Sequence, residues 1–123
     1  MNAQSLAQRA YSSVSTPVRT NRGTEYEAIA RITKRIRNAA ADGSKGFPAL
    51  AAALLDNRKL WTIFANDVAD PGNRLPPELK ARIFYLAEFT MKHTSDVLAR
   101  RAAVGPLLDI NTAILRGLRG EAN

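Results

Sequence analysis

The sequence predicts an all-α fold: a single-domain helical bundle of about five helices built on a long antiparallel helical hairpin. No stretch of the chain alternates apolar and polar residues with the two-residue period of a strand. Apolar residues instead recur at helical spacing, and turn signals rich in proline and glycine separate the segments. A length of 123 residues suits one domain over residues 1–123, with residues 1–22 forming an N-terminal helix and a mobile connector.

Local start and stop signals delimit the first two predicted helices. The first covers about residues 2–14 and has a modest apolar stripe, and a polar, basic connector follows over residues 15–23. The second begins near Thr24, because Thr24 and Glu27 have the spacing of a capping box. It ends at the turn sequence over residues 42–44.

The predicted hairpin consists of two long helices joined by a short turn. They run from about residue 48 to 70 and from about residue 76 or 77 to 101, since proline is accepted in the first turn of a helix. The Asp-Pro-Gly-Asn sequence at residues 70–73 is a strong turn signal, so the two helices should be antiparallel neighbours. A last helix covers about residues 107–118, after the break at Gly105-Pro106.

Asn57 lies on the apolar stripe of the third predicted helix, and Thr90 and His93 lie on the stripe of the fourth. Folding the hairpin about Asn73 places Asn57 opposite residue 89. We therefore expect a structural polar layer of Asn57, Thr90 and His93 that fixes the helix register, as buried asparagine does in coiled coils. Two alternatives remain open: a layer that contacts a partner helix, and a catalytic His93, which lacks an oriented nucleophile because Ser95 points elsewhere.

Two other residues on apolar faces have structural and functional interpretations. Asn111 lies near the apolar side of the last helix and is a second candidate for a buried polar group. Trp61, the only tryptophan, is interpreted first as a core anchor and second as a contact for a partner.

The net charge of +7 is unevenly placed, because residues 1–40 contain seven basic and only two acidic residues. Such an excess fits a nucleic acid, an anionic surface or an acidic partner. A solvated helix face is the ordinary explanation, and neither RNA-binding motifs nor the compact helices of a helix-turn-helix are present. The residues available for RNA binding would be Arg19, Arg22, Arg31, Lys34, Arg35 and Arg37.

Composition argues against an enzyme. The chain has no cysteine, one histidine, no Gly-rich phosphate loop and no paired-carboxylate pattern, so we expect no catalytic residue, no metal and no cofactor. The longest apolar run, about residues 47–55, is far shorter than the roughly 20 residues of a membrane span. With no membrane segment and no leader peptide, we expect a cytoplasmic protein.

Nearly the whole chain resembles FlaF-family flagellar biosynthesis regulators of the alphaproteobacterial type. Several segments carry the resemblance jointly and in order: Ala10-Tyr11, residues 19–29, 57–61 and 67–73, Leu75-Pro76, His93-Thr94, residues 106–111, Ile114 and residues 116–118.

The resemblance implies a cytoplasmic, non-enzymatic protein that promotes flagellin synthesis and secretion. Flagellin is the implied partner, bound in the manner of an export chaperone, and FlbT, which restrains translation of flagellin mRNA, acts alongside it. Candidate contacts to the partner are Tyr11, Arg19, Thr24, Glu25, Tyr26 and Arg58. Two alternatives are an RNA-binding regulator of flagellin mRNA and a dimeric scaffold without a ligand.

Overall fold

The computed structural model describes residues 22–122, with side chains for residues 24–117. They form four α-helices and a short 3-10 helix at Gly43–Gly46; the α-helices are α1 (Arg22–Ala41), α2 (Phe47–Ala69), α3 (Pro77–Leu98) and α4 (Gly105–Ala122). No strand occurs over residues 22–122, so the all-helical prediction is confirmed. The helix predicted over residues 2–14 and the connector as far as residue 21 lie outside the described residues.

Two glycines shape the turn between α1 and α2. Gly43 has a φ of 66°, in the left-handed region that glycine adopts without steric cost. A Cβ on Gly46 would collide with the carbonyl oxygen of Ala39 and with Asp42, so only glycine permits this close approach. The α2 helix then begins at Phe47 with Pro48 in its first turn, as the proline signal predicts.

The α2 helix packs between α1 and α3, and α4 packs against α1 and, over a shorter stretch, against α3. The fully buried Trp61 and Leu54 lie on the interior face of α2 beside Ile29 and Ile36 of α1 and Leu107 of α4. Trp61 meets Phe64 edge-on, with ring centroids 5.3 Å apart. Trp61 is therefore the core anchor that the sequence predicts.

The α2 and α3 helices run in opposite directions. The residues that face each other across the pair, however, are not those expected from folding the hairpin about Asn73. Arg58 contacts Ser95 and Thr62 contacts Met91, so residue 96, and not residue 89, lies opposite Asn57. The difference is about two helical turns. It arises in the connecting loop, where Asn73 Nδ2 donates to the carbonyl of Asp67 at 3.2 Å and holds the loop against the end of α2.

The α3 helix ends with Arg100 in a left-handed conformation, at a φ of 63°. The Arg101 amide donates to the Asp96 carbonyl at 2.8 Å and the Arg100 amide to the Val97 carbonyl at 2.9 Å, which is the hydrogen-bond pattern of a Schellman motif. The Arg100 guanidinium lies 4.2 Å from the centroid of the Phe47 ring. This cation–π contact joins the end of α3 to the start of α2.

Candidate functional site

A buried hydrogen-bond cluster centres on Asn111 of α4. Its Nδ2 donates to Asn57 Oδ1 at 2.9 Å and to Thr33 Oγ1 at 3.0 Å, and its Oδ1 accepts from Trp61 Nε1 at 3.0 Å. All four residues are at most 2% exposed. Because one amide joins α1, α2 and α4, the cluster fixes the relative positions of three helices.

The expected pairing of Asn57 with Thr90 and His93 is wrong. Among the described residues, Asn57 bonds to Asn111, while His93 Nε2 donates to the Ala103 carbonyl at 2.8 Å, in the segment before α4. The ring of the half-buried His93 stacks on Phe89 at 5.1 Å between centroids. The register difference and the direction of Asn57 toward α4 explain the error, since His93 instead orders the connection between α3 and α4.

Three buried polar atoms have no hydrogen-bond partner among the described residues: Asn57 Nδ2, Thr90 Oγ1 and Thr94 Oγ1. Thr90 and Thr94 lie on the interior stripe of α3 with Ala87 and Val97. The sequence pattern predicts Thr90 on this stripe but not Thr94. The large apolar residues of α3, Leu79, Ile83 and Leu86, are only half-buried, and the small residues face the interior.

A surface depression lined by Leu55, Arg58, Thr62 and neighbouring residues of α2 borders the contact between α2 and α3. We define this α2–α3 groove by one side of each helix, with Leu55, Arg58 and Thr62 on α2 and Phe84, Met91 and Ser95 on α3. The two sides adjoin, since Arg58 Nη1 donates to Ser95 Oγ at 3.2 Å and Thr62 Oγ1 lies 3.7 Å from Met91 Sδ. Leu55 and Phe84, at opposite ends of the groove, are 42% and 41% exposed.

The predicted contact residues do not form one surface. Tyr11 and Arg19 lie outside the described residues. In the first two turns of α1, Thr24 and Tyr26 are half-buried and Glu25 is only 4% exposed. Arg58 lies in the α2–α3 groove and bonds to Ser95 of α3, whereas Asp56 pairs with Arg35 of α1. Arg58 is therefore separated from the α1 candidates, and their role in binding a partner stays a prediction.

Two exposed aromatic residues were not predicted as surface residues from the sequence. Phe84 and Tyr85 follow each other on α3, and Tyr85 is 65% exposed. Helical spacing could have indicated them, because both fall away from the stripe of Ile83 and Leu86. In the observed register, the last residue of α2 lies opposite Phe84, so Phe84 is at the end of the groove. The side chain of Tyr85 points about 100° away from it around the helix.

A basic surface lies on the outer side of α1. Arg31, Lys34, Arg35 and Arg37 are all exposed. Arg35 Nη1 lies 2.8 Å from Asp56 Oδ2, whereas Arg31, Lys34 and Arg37 form no ion pair within the part of the chain that the structure describes. The surface therefore presents three uncompensated charges to solvent.

The fold and these surfaces define a small helical-bundle protein with a groove on one face and a basic helix on another. Over the described residues, no group of acidic, histidine or cysteine side chains is arranged to hold a metal, and none of the helices has the length and hydropathy needed to cross a membrane.

The chain belongs to the FlaF family of flagellar proteins, because the family model described as flagellar protein FlaF matches residues 7–118. Neither a curated protein nor a solved structure matches it.

Proposed function

We propose that this protein binds flagellin in the cytoplasm as a chaperone-like module and thereby promotes flagellin synthesis and secretion, acting with FlbT. Membership of the FlaF family supports a flagellar role. The observation that supports binding is the α2–α3 groove, which has exposed apolar side chains at both ends and a basic side chain between them.

An amphipathic helix of flagellin fits this groove by its chemistry. Such a helix places apolar anchors at intervals of three, four and seven residues in a groove between two other helices. From Leu55 to the end of α2 the groove is about 20 Å long, which accommodates roughly four helical turns. Arg58 would pair with an acidic or amide side chain on the partner, in exchange for its weak contact with Ser95.

Calorimetry with purified flagellin and the full chain tests the proposal. We expect binding with a defined stoichiometry, and co-purification with FlbT in a separate experiment tests whether that contact is direct. Absence of flagellin binding at tens of micromolar protein would reject a flagellin-binding role.

RNA binding is a second candidate function, supported by the exposed charges of Arg31, Lys34 and Arg37. Binding through phosphate contacts predicts that affinity for a flagellin leader RNA falls steeply as salt increases, and that Lys34→Ala reduces the slope by about one. Affinity that is absent at low salt, or unchanged at about 0.5 M salt, would exclude this alternative.

A further inference from the structure

The three unpartnered atoms belong to residues on the buried sides of α2 and α3, next to the residues of the α2–α3 groove. Asn57 and Thr94 immediately precede Arg58 and Ser95, whose side chains meet at 3.2 Å across the groove. Asn57 and Thr94 therefore lie at the same level of the helix pair, one on each helix. Thr90 lies one turn further along α3. All three side chains are at most 1% exposed.

The two threonine hydroxyls form no hydrogen bond with their own helix. Thr62 Oγ1 bonds to the carbonyl of Arg58, and Ser95 Oγ to the carbonyl of Met91, each four residues earlier. Thr90 and Thr94 form no such bond, although the same local acceptor exists for both. Both residues are buried, so each hydroxyl loses its hydration without a partner among the described residues.

We infer that α3 moves away from α2 when a partner helix binds, and that Asn57, Thr90 and Thr94 form a second, inner part of the binding site. This inference rests on the proposed flagellin-binding role of the groove. The partner chemistry that fits is an amphipathic helix with a hydrogen-bonding side chain, such as glutamine or asparagine, in the middle of its apolar face.

The unpartnered groups reduce the free-energy cost of this movement. The closed form buries one amide nitrogen and two hydroxyls without partners among the described residues, so separation of α3 from α2 restores their hydration and lowers the free energy of local opening. A partner that supplies an acceptor for Asn57 Nδ2 and bonds to the hydroxyls binds the open form better than the closed form. It thereby shifts the population toward the open form.

The test replaces both hydroxyls with methyl groups in the double variant Thr90→Val/Thr94→Val of the full chain. The closed form gains apolar contacts and loses no hydrogen bond, so we expect the Tm to rise by roughly 5 °C and amide exchange of α3 to slow. Flagellin should bind at least tenfold more weakly. Thr112→Val on α4 is the control for the same chemical change, because Thr112 is half-buried and lies outside the α2–α3 groove, and it should leave flagellin affinity unchanged.

Several outcomes would overturn the inference. A lower Tm for the double variant means that the hydroxyls stabilise the closed bundle, for instance through a buried water. Unchanged flagellin affinity at a raised Tm means that α3 does not move. If flagellin does not bind the unmodified protein, the proposed function fails. Amide exchange still shows whether α3 moves away from α2. The inference then fails if α3 exchanges as slowly as α2, or if the double variant does not slow it.

Discussion

Asn111 on α4 donates a hydrogen bond to Asn57 on α2 over 2.9 Å, between residues 54 positions apart in the chain. The same Asn111 amide bonds to Thr33 and Trp61, so every polar atom of its side chain is used in the interior. Asn57, by contrast, uses only its oxygen. The two buried asparagines therefore differ in what their removal should cost.

Replacing Asn111 should be among the most destabilising changes in the described chain. Asn111→Ala leaves Trp61 Nε1, Thr33 Oγ1 and Asn57 Oδ1 without this partner, and we expect a loss of about 3–5 kcal/mol in the free energy of unfolding. Urea denaturation followed by tryptophan fluorescence measures it. The exposed Asn66→Ala is the matched control and should change stability by less than about 0.5 kcal/mol. Similar losses for both variants would show that the cluster adds nothing.

Asn57→Leu should cost less than Asn111→Ala. It removes one hydrogen bond, but it also removes the unpartnered Nδ2, and Asn111 keeps its bonds to Thr33 and Trp61. We expect about 1–2 kcal/mol by the same urea denaturation. A variant as stable as the parent that no longer binds flagellin would instead assign Asn57 mainly to the partner.

The features that the sequence predicts correctly depend on interactions within one helical turn. The features that it predicts wrongly depend on contacts between helices. The helix starts at Phe47 and Pro77 lie within a residue of the predicted positions, because proline acts on its own turn. The partner of Asn57 could not be predicted, because it lies on α4 and depends on the register of α2 against α3. Helical spacing could have indicated that Phe84 and Tyr85 are exposed, but which of them lies beside α2 depends on the same register.

Two substitutions of Arg100 separate the free-energy cost of its left-handed backbone from the stabilisation by its contact with Phe47. Arg100→Ala keeps the unfavourable φ of 63° and loses the contact with Phe47, whereas Arg100→Gly loses the same contact but relieves the backbone. We expect the glycine variant to be more stable than the alanine variant by about 1 kcal/mol. Thermal unfolding of both full-length variants tests this. A glycine variant less stable than the alanine variant would contradict the assigned strain.

The central claim is that the α2–α3 groove binds flagellin, and the neighbouring aromatics Phe84 and Tyr85 test it most directly. Phe84 lies at the end of the groove and Tyr85 points away from it, although Tyr85 is the more exposed. The measurement is calorimetric titration of purified flagellin into the unmodified protein, Phe84→Ala and Tyr85→Ala, each first checked for unchanged Tm. We predict that Phe84→Ala weakens binding at least tenfold, about 1.4 kcal/mol, and that Tyr85→Ala leaves it within about twofold. Equal effects, or a larger effect of Tyr85→Ala, would contradict the groove as the binding site.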